Sequence, residues 1–232
     1  MAIKLSKRKK HNESLKPQAA LDPLPACEAI KKFKAPKFDQ TVNVVMNLGI
    51  DPKQADQAIR GSVSLPKGIG KTKRVVAFCR EDQIGPSKAN GAVEAGAEDL
   101  VAKIEAGWME FDVAIASPDM MRVVSKLGKV LGPKGLMPSP KSGTVTPNVA
   151  DAVKEYSAGK VEYRNDAGSN VHAVIGKMSF GASDLAANLE HFIHHIERSR
   201  PSTAKGTFIK KVVISGSMTP GVEVKVAQKV VE

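Results

Sequence analysis

A strand, a helix and a long loop follow one another in residues 111–149, which read FDVAIASPDMMRVVSKLGKVLGPKGLMPSPKSGTVTPNV. The apolar run FDVAIA has the length of a buried strand, and the next stretch has the apolar spacing of an amphipathic helix. The loop is rich in glycine and proline, and Thr146 and Pro147 after it are typical of a helix start. This stretch therefore predicts an α/β arrangement interrupted by a turn-rich loop.

The residues before this stretch repeat the alternation of strands and helices. The strand KRVVAFC, residues 73–79, precedes the helix EDLVAKIEAG, residues 98–107. Strands that alternate with helices indicate a parallel sheet. The spacing thus predicts a small parallel α/β unit over residues 68–158.

The two flanks have a different pattern. In TVNVVMNLGI, residues 41–50, and in VEVKV, residues 222–226, apolar and polar residues alternate as in half-buried antiparallel strands. Neither flank has enough strands to form a core alone. The sequence therefore predicts a discontinuous two-domain protein, in which residues 1–67 and 159–232 form one basic α+β domain and residues 68–158 are inserted into it.

The chain has an excess of positive charge, with 35 Lys and Arg against 24 Asp and Glu and a net charge of +11. Residues 68–158 hold twelve Lys and Arg against eleven Asp and Glu, so the flanks hold the remaining 23 and 13. Such basic flanks favour a polyanionic partner. Residues 1–20, with KRKK at 7–10, lack apolar periodicity and are predicted to be a flexible basic arm until an anionic partner orders them.

Several classes of protein are excluded by what the sequence lacks. No apolar run approaches the roughly 20 residues that a membrane span requires, so we expect no membrane association and a cytoplasmic location. Cys27 and Cys79 form no CxxC motif, which fits buried thiols in a reducing compartment. We also expect no cofactor and no obligate homo-oligomer.

Two segments imitate nucleotide-binding loops. Before Lys141 stands Pro140, which has no amide hydrogen to offer a phosphate. In LPKGIGKT, residues 65–72, Leu65 replaces the first glycine, and the segment precedes a strand whereas a phosphate loop follows one. Neither segment predicts a nucleotide site, and residues 65–72 are better explained as a flexible crossing between domains.

Possible metal ligands and catalytic acids also have simpler explanations. His191, His194 and His195 have the i, i+3, i+4 spacing of helical zinc ligands, but the apolar residues of the segment place them on the exposed side, and we expect no metal ion. Asp112 and Asp119 could suggest an acid pair, yet an aspartate at a helix start is usually a favourable cap. With no catalytic motif present, the chain is not expected to be an enzyme.

A resemblance to a known family is carried by residues 111–149, VEYRNDAGSNVHAVIGK, KFDQTVNVVMNLGID, DQAIRGSVSLPKG and AKGTFIKKVVIS. Over nearly the whole chain past residue 25, the sequence resembles the bacterial L-one family of large-subunit ribosomal proteins. The resemblance implies one α+β domain made from both termini and an inserted Rossmann-like α/β domain without a nucleotide. It also implies binding to the ribosomal stalk region of large-subunit rRNA, assistance in releasing deacylated tRNA from the exit site, and repression of the protein's own mRNA.

The same resemblance implies which residues contact RNA. Polar side chains and turn amides can reach 2′-hydroxyls and phosphates across a shallow minor groove, and apolar side chains can pack against sugars or bases. Aromatic residues make up only 4% of the chain, so recognition of RNA shape is favoured over a stacking surface. The implied contacts are Glu28, Lys37, Phe38, Thr41, Arg164, Asn165, Asp166, Ser217, Met218, Thr219 and Gly221.

Some of these positions have alternative interpretations. Phe38 could be a core residue, and Asp166 could serve only as a turn former. The sequence departs from the family pattern in two places. Ala167 replaces a common lysine, and Ser217-Met218-Thr219 stands where relatives usually have Thr-Met-Gly. Ser217 keeps the hydroxyl, whereas Thr219 adds a side chain where glycine allows close backbone approach, so we expect a looser or rearranged local fit to RNA there.

Two interpretations of the Gly/Pro loop at 131–149 stay open. Its turns can shape the surface of the inserted domain and aim the returning helix, or Lys134 and Lys141 can form a secondary RNA contact. Two other functions are alternatives for the whole chain. A nucleotide-binding α/β enzyme needs a working glycine loop, and a general basic RNA chaperone binds unrelated RNAs equally well.

Overall fold

The computed structural model describes residues 6–226 and has a mixed α/β fold with a four-stranded antiparallel sheet and a three-stranded parallel sheet. Its contacts divide the chain into two compact units, Met1–Gly70 with Tyr163–Glu232 and Lys71–Glu162. Both ends of the described chain therefore belong to the first unit, and the middle forms the second. The predicted crossings, at 67/68 and 158/159, lie a few residues before these bounds.

The described chain contains both helices and strands, which alternate one by one only between β3 and β5. The first half contains α1 (Lys7–Ser14), α2 (Pro23–Lys32), β1 (Thr41–Leu48), β2 (Arg60–Val63), β3 (Val75–Phe78), α3 (Glu81–Ala89), β4 (Ala92–Gly96), α4 (Glu98–Glu105) and β5 (Val113–Ala116). The second half contains α5 (Met121–Val124), α6 (Gly128–Leu131), α7 (Val149–Ser157), β6 (Val161–Arg164), β7 (Asn170–Lys177), α8 (Ala182–Arg198), β8 (Ile209–Gly216) and β9 (Val222–Val224).

The first unit is built on an antiparallel sheet with the strand order β7-β1-β8-β9. Alternate residues of β1 are buried, which confirms the half-buried strand predicted from the alternation of its sequence. Helices α2 and α8 pack against each other and against this sheet. The buried face of α8 carries Leu185, Leu189 and Phe192, and each such side chain contributes about 1.5–3 kcal/mol when fully buried.

The second unit contains the predicted parallel sheet, with the strand order β4-β3-β5. Every residue of β3 is buried, because helices cover both faces of the sheet. One core contains Val76 and Phe78 with apolar residues of α4, α5 and α6. The other contains Val75 and Ala77 with apolar residues of α7.

The Gly/Pro loop at 131–149 is packed into the second unit. Ala116 N donates to Thr144 O at 2.9 Å, so the loop continues the sheet at the end of β5. The buried Tyr156 hydroxyl donates to Ser142 O at 2.7 Å. These contacts support the interpretation that the loop shapes this unit.

The start of α7 differs from the prediction. The helix begins at Val149, and its N-cap residue is Asn148 rather than Thr146. Thr146 Oγ1 instead accepts a hydrogen bond from Asn148 N at 3.3 Å, two residues along the chain. The threonine therefore forms a local turn before the helix.

The N-terminal segment also differs from the predicted flexible arm, because residues 7–14 form the helix α1. Ser6 Oγ caps this helix by accepting from Lys9 N at 3.3 Å. Asn12 is only 1% exposed and fixes the helix to the backbone of Lys34. The contact that docks the helix is polar, so a search for apolar periodicity could not reveal it; residues 1–5 of the predicted arm lie outside the described residues.

Candidate nucleic-acid interface

The antiparallel order of β7, β1 and β8 brings three turns of the first unit to one end of its sheet. Thr41 begins β1, Lys177 ends β7 and Gly216 ends β8. Thr41 pairs with Lys177 and Val42 pairs with Gly216, so these strand ends are neighbours. We call this region the sheet-end surface, and it consists of residues 37–41, 177–180 and 216–221.

The turn at 216–219 is closed by the side chain of Thr219. Gly216 N donates to Thr219 Oγ1 at 2.8 Å, and Thr219 N donates to Gly216 O at 3.2 Å. Thr219 does not adopt a positive φ, so a side chain fits at this position without backbone strain. The residue that replaces the family glycine thus uses its hydroxyl inside the turn.

Gln40 connects the start of β1 to two of the turns. Its side chain is completely buried, and its Oε1 accepts from Met218 N at 2.8 Å. Its backbone carbonyl accepts from Met178 N at 2.9 Å. The buried Nε2 atom has no hydrogen-bond partner among residues 6–226. No sequence motif pointed to Gln40, although extending the alternation of β1 back by two residues from the buried Val42 predicts that Gln40 faces inward.

Thr41 provides the third fixed point of the turn. Both Ser217 N, at 3.1 Å, and Ser217 Oγ, at 3.3 Å, donate to Thr41 O. Lys177 Nζ donates to the Thr41 hydroxyl at 2.8 Å. Together with the bonds of Thr219 and Gln40, this leaves no backbone amide of residues 216–219 free. The turn cannot cradle a phosphate with amides, and it presents the exposed side chains of Ser217 and Met218 instead.

Two apolar side chains stand out from the sheet-end surface. Phe38 and Met218 are each 51% exposed, so the alternative interpretation of Phe38 as a core residue is wrong. The loop that carries Phe38 is fixed by the turn at 177–180, because Ser179 N and Oγ donate to the two carboxylate oxygens of Asp39 at 3.1 and 2.9 Å. Exposed apolar side chains on a fixed frame are suited to contact with a partner.

Three other predicted contacts differ in their surroundings. Glu28 lies exposed on α2, and Lys37 is exposed next to Phe38. Gly221 is half-buried, and a Cβ atom there would lie 2.7 Å from Val213 Cγ1. A side chain at 221 would therefore displace Val213 of β8.

The predicted residue Arg164 ends β6, which pairs with β2 in a separate two-stranded sheet. Asn165 and Asp166 follow it and lead to Asn170, where β7 begins at the opposite end of the four-stranded sheet. The eight residues of β1 separate the two ends by about 25 Å. Asn165 N donates to Ile59 O at 3.0 Å, and Ile59 N donates to Asn165 Oδ1 at 2.9 Å. Asn165 therefore fixes the backbone, whereas Arg164 is exposed.

Asp166 organises the turn that follows. Its Oδ1 accepts from Asn170 N at 2.7 Å and from Gly168 N at 2.8 Å, and its Oδ2 lies 3.3 Å from His172 Nε2. The hydrogen bonds from Asn170, supported by those from His172 and Gly168, hold the pKa of Asp166 at about 2. Its oxygens are used within the turn, which agrees with the turn-former interpretation, and Ala167 is exposed beside it.

The apparent nucleotide loop at residues 65–72 is held by a buried asparagine of α8. Asn188 Oδ1 accepts from Lys67 N at 3.0 Å, and Asn188 Nδ2 donates to Gly68 O at 3.0 Å. Within this loop, Gly68 and Gly70 have positive φ values. The segment up to Gly70 is thus fixed on the first unit and does not crown a helix.

The two aspartates considered as an acid pair are each bound to an arginine. Asp112 pairs with Arg74 at 3.3 Å, and the hydrogen bonds from Arg74 lower the pKa of Asp112. Asp119 pairs with Arg80 at 2.5 Å and lies in the first turn of the short helix after β5. Both contacts are those of structural ion pairs.

The histidines of α8 have different environments. His191 and His194 are exposed, and His194 Nδ1 lies 3.2 Å from Glu197 Oε2. His195 is half-buried rather than fully exposed, because its Nε2 lies 3.0 Å from the Tyr163 hydroxyl. Burial lowers the pKa of His195, and the charges of His191 and Arg198 act in the same direction.

Between residues 6 and 226 the structure has no group of three His, Cys, Asp or Glu side chains that could hold a metal ion. In the same range, none of the helices is long and apolar enough to cross a membrane. Cys27 and Cys79 are both buried free thiols, and burial raises the pKa of each.

A mixed α/β fold with a net charge of +11 and an exposed, rigidly held surface at one end of a sheet defines a class of basic proteins that bind nucleic acid. The model of the Ribosomal protein L1p/L10e family matches residues 30–220, and the chain belongs to this family. It is therefore a large-subunit ribosomal protein that binds rRNA, and its family is structural rather than enzymatic. This family functions in cytoplasmic ribosomes, which agrees with the location predicted from the sequence.

Proposed function

We propose that the sheet-end surface binds a folded region of the stalk of large-subunit rRNA. The observation that carries this proposal is the turn at 216–219, in which every amide is bound internally while Met218 is 51% exposed. Ser217 is exposed beside it, with its hydroxyl near the Thr41 carbonyl. The surface thus offers an exposed apolar side chain and an exposed hydroxyl group in a fixed arrangement.

This chemistry is suited to RNA rather than to phosphate alone. Carbonyl and hydroxyl oxygens can accept hydrogen bonds from 2′-hydroxyls, which line the shallow minor groove of an A-form helix. Phe38 and Met218 supply apolar area against sugars or bases, and Lys37 supplies charge for a phosphate. The fixed frame lowers the ordering cost of binding.

The turn of Arg164, Asn165 and Asp166 supplies a second contact in this proposal. Arg164 is exposed and can meet a phosphate, while Asn165 and Asp166 keep its strand and turn in place. The two contacts at opposite ends of one sheet suit an extended RNA helix. Thr41, Thr219 and Gly221 then act mainly by forming the frame, and the exposed Glu28 is a further candidate contact.

We further propose the finer functions that the family resemblance implies. The protein assists the release of deacylated tRNA from the exit site, and it represses its own mRNA by binding a similar RNA shape. Lys134 and Lys141 are exposed and are the candidate secondary RNA contacts of the second unit. The two units act as separate domains, with residues 1–67 and 159–232 binding rRNA and the Rossmann-like insert at 68–158 supporting the mobile stalk.

The test is the affinity of Met218→Ala and Ser217→Ala for a stalk fragment of large-subunit rRNA in a filter assay. Loss of the methionine contact with RNA should weaken binding about tenfold, since about 1.4 kcal/mol corresponds to a factor of ten. Leu24→Ala is the matched control, because Leu24 is a 45% exposed apolar residue of α2. Unchanged binding by both site variants, with unchanged melting temperature, would remove these residues from the interface.

The salt dependence of the same assay tests the mode of binding. If about five phosphates are engaged, the logarithm of affinity should fall with the logarithm of salt concentration with a slope of roughly −4. Competition with bulk tRNA separates specific binding from a general RNA chaperone. A chaperone would be displaced by any RNA at equal concentration, whereas a shape-specific protein would stay on the stalk fragment.

A further inference from the structure

The helix α1 begins with a run of positive charge. Lys7, Arg8, Lys9 and Lys10 are consecutive, and the three lysines are exposed. Within residues 6–226, no carboxylate lies within 4 Å of any of these four cations. Unpaired cations on an ordered helix form a surface that favours an anion.

This helix is fixed in place by one buried side chain. Asn12 is 1% exposed; its Nδ2 donates to Lys34 O at 3.2 Å, and its Oδ1 accepts from Lys34 N at 2.9 Å. The two bonds satisfy both the donor and the acceptor of the amide. A solvated arm would not need such a contact, so the position of α1 relative to Lys34 is built into the fold of the first unit.

The contact places α1 next to the proposed rRNA interface. Lys34 lies on the loop that leads to Lys37 and Phe38. At the end of α2, Lys31 Nζ donates to the carbonyl oxygen of Phe180, in the turn at 177–180. The loop to which α1 is attached therefore continues directly into the sheet-end surface.

The end of α1 and the residues after it border a groove on the outer strands of the sheet. The groove is lined by Glu13 and Lys16 from the N-terminal segment and by Lys211, Gly221 and Glu223. Lys211 lies toward the opposite end of β8, so the groove runs along the strands and only Gly221 belongs to the sheet-end surface.

The charges of α1 lie outside the part of the chain that the family model matches, which begins at residue 30. We propose that docked α1 is a second contact surface for the same rRNA, with Lys7, Lys9 and Lys10 neutralising phosphates beside the sheet-end surface. The partner is the RNA backbone, because the exposed lysine ammonium groups are point charges that donate without a fixed hydrogen-bond geometry. This inference rests on the proposed function.

The inference predicts a change in salt dependence. Removing three phosphate contacts from a duplex should make the log–log slope shallower by about 2.7. The ratio of wild-type to variant affinity should then shrink roughly 40-fold between 50 and 200 mM salt, since a fourfold change in salt raised to the power 2.7 is about 40. A surface that does not touch RNA gives no change in slope.

The experiment compares the full-length protein with two variants on the stalk fragment of large-subunit rRNA. Lys7→Gln/Lys9→Gln/Lys10→Gln removes the charge, and Asn12→Ala keeps the charge but removes the dock. The matched control, Lys126→Gln/Lys129→Gln/Lys154→Gln, removes three lysines of the second unit. Melting temperatures of all variants check the fold.

We expect the α1 triple variant to show the shallower slope and the control to retain most of the wild-type slope. Asn12→Ala should show at least half of the change in slope that the triple variant shows. An unchanged slope in the triple variant overturns the inference. Wild-type affinity in Asn12→Ala, with weak binding by the triple variant, also overturns it, because the lysines would then act from a free tether. If the wild type does not bind the fragment, the proposed function itself fails.

Discussion

The two ends of the first unit's sheet use their polar residues in opposite ways. At the sheet-end surface, the groups that hold the turn are Gln40, Thr41 and Thr219, while Ser217 and Met218 remain exposed. At the other end, the residues that the resemblance implies as RNA contacts also fix the backbone of their own turn. Asn165 and Asp166 use their side-chain oxygens to accept hydrogen bonds from backbone amides.

The difference separates two kinds of importance that a family pattern cannot distinguish. A residue can be retained because it touches a partner or because it fixes the backbone that does. At the sheet-end surface these tasks fall to different residues, so RNA affinity and stability should respond to different substitutions. At the opposite end the tasks coincide in Asn165 and Asp166, and only Arg164 is left exposed to act on a partner.

The largest effect is expected from Gln40→Leu. The substitution removes the acceptor of Met218 N and leaves that amide without its partner, which should cost about 2 kcal/mol of unfolding free energy. RNA affinity should fall about tenfold as well, because Met218 loses its fixed position. Urea unfolding and filter binding measure the two quantities.

Gln83→Leu is the control for this substitution. Gln83 Nε2 donates to Pro147 O at 3.0 Å in the second unit, and its Oε1 is a buried atom without a hydrogen-bond partner in the described chain. It should lower stability without changing affinity for the stalk fragment. Wild-type RNA binding by Gln40→Leu would show that the turn keeps its position without this anchor.

Asn165→Ala should have a smaller effect, confined to stability. It removes the acceptor of Ile59 N and should lower the free energy of unfolding by about 1 kcal/mol. RNA affinity should change less than about threefold, which is under 1 kcal/mol, because the side chain holds the backbone. A large loss of affinity at unchanged stability would instead make Asn165 a direct RNA contact.

The contribution of Asp166 to stability should depend on pH. Its pKa is about 2 in the folded protein, below its ordinary value of 3.8, so its contribution to stability is present above about pH 4 and is lost as the pH falls towards 2. Asp166→Asn should make the free energy of unfolding change less with pH in this range. Unfolding followed by circular dichroism at constant ionic strength measures this dependence. His172→Gln is the control, since it removes one of the weaker partners of the carboxylate.

The sequence was a better guide to the fold than to the interface. The alternation of β1 and the alternation of strands and helices after residue 73 predicted both sheets, because side-chain periodicity follows directly from burial. The docking of α1 was not predictable in this way, since it depends on Asn12 meeting a backbone 22 residues away. The role of Gln40 depends on three turns that meet only in the folded chain, and the RNA contacts themselves stay predictions.

Thr219 provides the smallest and most discriminating effect. Thr219→Val keeps the shape of the side chain but removes the acceptor of Gly216 N, and it should weaken RNA binding about threefold, or about 0.6 kcal/mol. Thr219→Ser keeps the hydroxyl and should bind like the wild type.

Thr219→Gly distinguishes the two interpretations of this position. If the hydroxyl preorganises the turn, glycine weakens binding as valine does, because the turn loses its closing bond and gains backbone freedom. If the threonine instead hinders close approach of RNA, glycine binds more tightly than the wild type, and the turn would then owe its geometry to Gln40 and Thr41 alone.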